Sequence, residues 1–181
     1  MQKFLRRNHL DVHAGEKSFL YGKSTHNQRI EWFWGILRKE VGQFWMDLFA
    51  DMASCDGEII FCGTFLDKNI LRFCFMDVIQ KDLDNLVEIW NTHTINGGKE
   101  MHGGNRPIML YMIPELYNKQ HCLCNANETD IDACAEETVP KAEFCCDETV
   151  RDLCLLVMEE NGYVFPEEAE DARKLYTHLR E

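Results

Sequence analysis

Residues 66–90 read LDKNILRFCFMDVIQKDLDNLVEIW, and this stretch decides the fold class. Leu66, Ile70, Phe73, Met76, Ile79, Leu83, Leu86 and Trp90 recur at steps of three or four. That spacing places side chains on one face of an α-helix. Phe75, Val78 and Val87 broaden the apolar surface beside it. So wide a face calls for burial on more than one side.

Upstream, Ile30, Phe33, Leu37, Val41, Phe44 and Leu48 repeat the helical spacing, with Trp34 and Trp45 widening the stripe. Thr25 and Gln28 form a T-x-x-Q capping box, so a helix is expected to begin after Thr25. Gly35 and Gly42 lie seven apart on one face. They suggest close approach by another backbone or a ligand, or a simple bending position. Downstream, Asp147 caps a helix through Glu160 that carries Val150, Leu153, Cys154 and Val157 on one face. Gly162 stops it, and Glu167 to Leu179 reads as a last short helix.

The connections are punctuated by Gly and Pro. Residues 51–64 and the Gly-rich 94–106 read as loops. Pro107 starts a short helix through Tyr111, and Pro114 ends it. Residues 118–146 hold five cysteines among acids and polar residues, and read as a linker or boundary. At the N-terminus, Gln2 to Asn8 reads as the end of a helix, and Ser18 to Tyr21 is the one strand candidate. A self-sufficient α/β domain alternates strands with helices. The expectation is therefore a mainly α chain: a helical domain, or the helical remainder of something larger.

Composition excludes several classes. The 181 residues are 45% hydrophobic and 11% aromatic, too apolar for general disorder. The longest nearly apolar run, Ile59 to Leu66, falls far short of the roughly 18 residues needed to span a bilayer. Met1 to Arg7 lacks the apolar stretch of a signal peptide, so the chain is expected to be intracellular. Its nine cysteines, an odd number, are then expected to be thiols. The net charge of −12 is uneven: residues 1–50 carry +3, residues 51–114 carry −4 and residues 115–181 carry −11. Affinity for nucleic acid comes mostly from neutralising phosphates, and only the first fifty residues have the right sign.

Glu31 sits in the first turn of the capped helix, where the helix dipole favours an acid. Arg38 follows seven residues later on the same face, with Gly35 between. Such an edge suits a metal followed by a phosphate, and equally a solvated surface. His121, Cys122, Cys124, Cys134, Cys145 and Cys146 raise the question of zinc, but no C-x-x-C pair occurs. No P-loop, dinucleotide fingerprint or G-x-S-x-G elbow is present.

A resemblance adds to these readings. Gly22-Lys23-Ser24-Thr25-His26-Asn27-Gln28-Arg29-Ile30-Glu31 resembles the loop-to-helix segment of DDE integrases and transposases. Its end, Asn27 to Trp34, followed by Leu37-Arg38-Lys39, closely resembles the transposon-derived integrase core domain family of animal genomes. So do Leu71 to Gln80, and Trp90 to His93 followed by Gly103 to Pro107 and Leu110-Tyr111. A weaker likeness continues through Leu153 to Asn161.

The resemblance implies an RNase H-like core performing metal-dependent DNA strand transfer, the reaction of DNA integration. In that chemistry three carboxylates hold two divalent ions, Mg²⁺ or Mn²⁺, for in-line displacement. Glu31 matches the third acid and is the expected catalytic residue and metal ligand. Arg29, Arg38 and Lys39 are the expected DNA contacts. The first two acids have no match. Asp11 lies only twenty residues before Glu31 and outside any convincing strand. Residues 1–117 are therefore expected to be the C-terminal part of an integrase-like catalytic core with most of its sheet missing, and residues 118–181 an acidic, Cys-containing helical tail. The broad face of residues 66–90 is expected to pack on elements outside the chain and so to offer a surface for protein partners or self-association. The expected function is that of a truncated or decayed integrase core, inactive alone, with weak DNA contact in the nucleus. The rivals are a helical protein-interaction module and a zinc-binding helical domain.

Overall fold

The computed structural model describes residues 1–19, 21–22, 28–54, 61–95, 106–121, 124–139 and 144–181. Its helices are α1 (Gln2–Leu5), α2 (Gln28–Leu37), α3 (Gln43–Ala53), α4 (Phe65–Thr92), α5 (Pro107–Met112), α6 (Glu128–Glu136), α7 (Glu148–Asn161) and α8 (Ala169–Arg180). A π turn at Arg38–Gly42 joins α2 to α3, and 3₁₀ turns occupy Gly15–Ser18 and Pro114–Tyr117. Among the described residues the chain is mainly α, with Ile95 as its one bridge residue. The chain divides into two compact units. One comprises Met1–Trp32 with Met109–Lys141, the other Phe33–Ile108 with Ala142–Glu181.

The second unit holds the hydrophobic core, and α4 is its axis. Thr64 accepts a hydrogen bond from the Asp67 amide (3.2 Å) while the Asp67 carboxylate accepts from the Thr64 amide (3.4 Å). This reciprocal cap fixes the start of the helix. Phe75, fully buried, meets Phe49 of α3 at 5.3 Å and Tyr176 of α8 at 6.4 Å between ring centroids. Trp45 of α3 is also buried there, and its indole N–H donates to Asp82 on α4 at 2.9 Å. Val150, Cys154 and Met158 of α7 and Ala172, Leu175 and Tyr176 of α8 complete one cluster with Ile70, Phe73, Cys74 and Val78. The broad face of α4 is thus covered in part by this chain's own α3, α7 and α8, while Leu66, Met76 and Val87 stay exposed. The expectation that the face packs on elements outside the chain is corrected for the covered part.

Two polar clamps join α4 to the C-terminal helices. Buried Asn69 accepts from the Asp147 amide (2.9 Å), and Asp147 in turn caps α7 by accepting from the Val150 amide (3.2 Å). Buried Asp67 accepts from Arg180 Nε of α8 (2.9 Å) and from the Cys62 amide (3.1 Å). At the end of α7, Gly162 takes φ +69° while the Tyr163 amide donates back to the Met158 carbonyl. That left-handed stop is the one expected of a glycine.

Several local expectations change. Ser18 lies in a 3₁₀ turn rather than a strand, although Phe19 after it is extended. A π turn interrupts the stripe predicted over residues 30–48. Beyond it Val41, Trp45 and Leu48 pack on the core as the spacing predicts, together with Met52, whereas Phe44 at the edge of the stripe is exposed. Among the described residues a Cβ on Gly35 would meet nothing within 4 Å, and one on Gly42 only the Leu37 carbonyl at 3.6 Å, so no described backbone outside this helix approaches either glycine closely. Residues 118–146 contain a helix, α6, started by the Asn127 side chain accepting from the Thr129 amide. On α7 Leu153 is exposed, and Met158 takes its place on the buried face. The Thr25–Gln28 capping box falls partly outside the described residues.

The first unit is held differently. Among its described residues only Pro114 is buried. Arg7 of the turn after α1 reaches Asp130 of α6 at 2.7 Å, Arg6 forks onto both oxygens of Asp11 at 2.6 Å, and Lys3 pairs with Glu16. Polar contacts stand where an apolar core is small.

Two outcomes follow for the second unit. Burial alone would raise the Asp67 carboxyl, but the Thr64 hydrogen bonds and Arg180 outweigh it and hold the group below the usual carboxylate range. A folded pKa below the unfolded value of about 3.9 gives stability that is present above that value and lost as pH falls through the folded one. Asp67→Asn should lower the unfolding free energy at neutral pH by about 2 kcal/mol, read by urea denaturation, and should flatten its acid dependence below about pH 4. The thiols divide by burial: it raises the pKa of Cys74 and Cys154, and with Cys145 beside it pushes Cys146 up to about 11. Native alkylation followed by mass spectrometry should label exposed Cys145 and spare Cys74 and Cys154 until denaturant is added.

Candidate functional site

The residues that carry the DNA chemistry in the sequence reading lie along α2 and the π turn. Glu31 occupies the first helical turn and its side chain is exposed. Trp32 and Trp34, exposed by 58% and 52%, flank the half-buried Phe33. Phe33 packs edge-on against Trp90 near the end of α4, centroids 5.0 Å apart, and Trp90 lies 4.8 Å from His93. The His93 ring bonds the Trp90 carbonyl, and its amide donates to Ile89 at 2.9 Å. His93 therefore closes the helix end.

Arg38 and Lys39 open the π turn and are exposed, with Lys39 Nζ 3.4 Å from Glu40. The exposed Lys39–Glu40 pair is worth at most a few tenths of a kcal/mol. Arg29 lies on α2, and its side chain and His26 fall outside the described residues. Glu31 belongs to the first unit, Arg38 and Lys39 to the second.

Among the described residues, no group of three ligand-type side chains includes Glu31. A two-ion centre needs several carboxylates converging on one point. Among the described residues, those around Glu31 do not supply that centre, since Glu31 is the one carboxylate at this place. Among the described residues, the one group of three that does converge is elsewhere, in the first unit: His9, Asp11 and Cys124, with ligand atoms all within 4.8 Å of one another. Arg6 and the His13 amide hold the Asp11 carboxyl below the usual range, the Arg6 hydrogen bond most strongly. Of the other cysteines considered for zinc, Cys134 is half-buried on α6, whereas Cys145 and Cys146 precede α7 in the second unit. Cys122 lies outside the described residues. No local spacing announces the trio, because Cys124 stands more than a hundred residues from its partners.

A model of the integrase core domain matches residues 6–122, well over half of the chain. The chain belongs to the integrase core domain family. No curated protein and no solved structure matches it. Members of the family generally use divalent metal ions. Among the described residues no helix is long and apolar enough to cross a membrane.

Proposed function

We propose that this chain is a remnant of a DDE-type, RNase H-like integrase core, derived over residues 1–117 from the C-terminal part of that core and carrying residues 118–181 as an acidic helical tail. The ancestral activity is metal-dependent DNA strand transfer. The present chain is inactive by itself and contacts DNA weakly in the nucleus through Arg29, Arg38 and Lys39. One observation carries the reading: the family match includes Glu31 at the head of an exposed helix, yet among the described residues no pair of acids joins it.

The chemistry of the residues agrees. Glu31 could contribute one oxygen ligand to a Mg²⁺ or Mn²⁺ ion, which would stabilise charge on the reacting phosphate. It cannot align attacking and leaving groups without two further carboxylates. Arg38 and Lys39 offer exposed positive charge, but the −12 net charge opposes a polyanion at long range. Binding should therefore be salt-sensitive and modest.

Incubating the full chain with labelled DNA ends and Mg²⁺ or Mn²⁺ should give no cleavage or joining above background, and robust product would overturn inactivity. Binding measured against salt should show that the double substitution Arg38→Ala with Lys39→Ala reduces the log–log slope by up to about 2. An unchanged slope would remove these two residues from the DNA contact.

Exposed apolar side chains favour a second reading as a helical protein-interaction module. Trp32, Trp34, Phe44 and Ile89 are 58%, 52%, 54% and 65% exposed. Scattered apolar exposure is normal, but large aromatics are the residues that anchor interfaces. A stable protein partner recovered with no salt-sensitive DNA binding would select this reading over the first.

A further inference from the structure

We propose that His9, Asp11 and Cys124 form a structural site for a zinc-type divalent ion that ties the two segments of the first unit together. This site is separate from the chemistry of Glu31. The His9 Nδ1 atom lies 3.9 Å from Asp11 Oδ2, and the ligand atoms of all three residues fall within 4.8 Å of one another. Zinc bonds to nitrogen and oxygen of about 2.0–2.2 Å put tetrahedral neighbours roughly 3.4 Å apart. The His9–Asp11 pair therefore needs a movement of about half an ångström, and the Cys124 sulfur one of at most about 1 Å, to seat an ion.

The donor set selects the metal. Imidazole nitrogen, carboxylate oxygen and thiolate sulfur suit zinc, whereas Mg²⁺ and Ca²⁺ take oxygen almost throughout. Binding balances simply. Asp11 is already ionised, His9 binds through a neutral ring nitrogen, and the Cys124 thiol gives its proton to solvent as the sulfur–metal bond forms. One thiolate and one carboxylate neutralise the dication. Water takes the fourth position. Arg6 Nη2, 2.6 Å from both oxygens of Asp11, orients the carboxylate, and the ion would take a remaining lone pair of one oxygen, as with other metal ligands held by outer groups.

The architecture gives the ion something to do. His9 and Asp11 come from Met1–Trp32 and Cys124 from Met109–Lys141, the two segments that make up this unit. Among the described residues the unit buries only Pro114. Small units with so little core commonly depend on a metal or disulfide staple. The Arg7–Asp130 pair links the same segments, but exposed ion pairs contribute little.

Cobalt(II) provides the test, because it occupies zinc sites and reports thiolate ligation by its charge-transfer band. The full chain, reduced and stripped by chelator, should bind one equivalent of Co²⁺ with visible bands of a four-coordinate ion and a charge-transfer intensity of a single thiolate. Cys124→Ser should abolish the charge-transfer band, and His9→Gln should weaken binding at least about tenfold. The double variant Cys145→Ser with Cys146→Ser should keep both the band and the affinity. Circular dichroism would check that each variant retains its helices. The proposal fails if the wild-type chain shows no band or a multi-thiolate intensity. It fails equally if the band survives Cys124→Ser or disappears with Cys145 and Cys146. Should Cys124→Ser not fold, the wild-type intensity and the double variant still decide the matter.

Discussion

A buried carboxylate organises the larger unit. Asp67 closes the cap of α4, accepts from the Cys62 amide that leads into it, and binds Arg180 in the last turn of α8. One side chain therefore joins the start of the longest helix to the end of the final one. A buried carboxylate is costly unless its oxygens are satisfied, and here hydrogen bonds and a cation meet both of them. The aromatic packing of Phe75, Phe49 and Tyr176 then has a fixed frame to fill. Asn69 repeats the device for α7, using one side-chain oxygen to hold the amide of that helix's own cap residue. Apolar area drives the assembly, and these polar contacts set which helix end meets which.

The C-terminal helices matter because of this frame. By charge, residues 115–181 look like a solvated acidic appendage. Yet α7 and α8 present Val150, Cys154, Met158, Ala172, Leu175 and Tyr176 to α4 and send their acids outward. Net charge describes a surface, and a periodic face describes packing. In this chain the same helices carry both. The integrase-type helix head has no such enclosure: Glu31, Arg38 and Lys39 all stand exposed. A two-ion centre needs converging acids, and among the described residues no group of three ligand-type side chains includes Glu31.

Much of this was legible in the sequence, for definite reasons. The steps of three and four from Leu66 to Trp90 dictate a helix wherever they occur, because backbone geometry alone sets that period. Asp147 and Gly162 mark the ends of α7 through local hydrogen bonding and a left-handed φ, again independent of distant residues. The family was legible from the block around Glu31 and its downstream partners, and the match over residues 6–122 agrees. Within α2 and α3 the period marks Val41, Trp45 and Leu48 as core-facing, and they are, but it does not show that Phe44, at the edge of the stripe, stays exposed. Which edge of an apolar stripe is covered depends on the neighbouring helices. The period also gives no sign of the π turn at Arg38–Gly42. The helix α6 was hidden by its composition, since its acids and cysteines give only a weak apolar face.

By itself, then, the sequence determined which segments are helical, where several of them stop, and which family the chain comes from. Those properties depend on neighbours within a few residues, or on a motif's identity. Only the tertiary structure decided what covers α4, that Asp67 meets Arg180 across 113 positions, and that His9, Asp11 and Cys124 gather in one place. Contacts between residues so far apart in the chain arise when packing selects one arrangement of elements, and no local pattern encodes that selection.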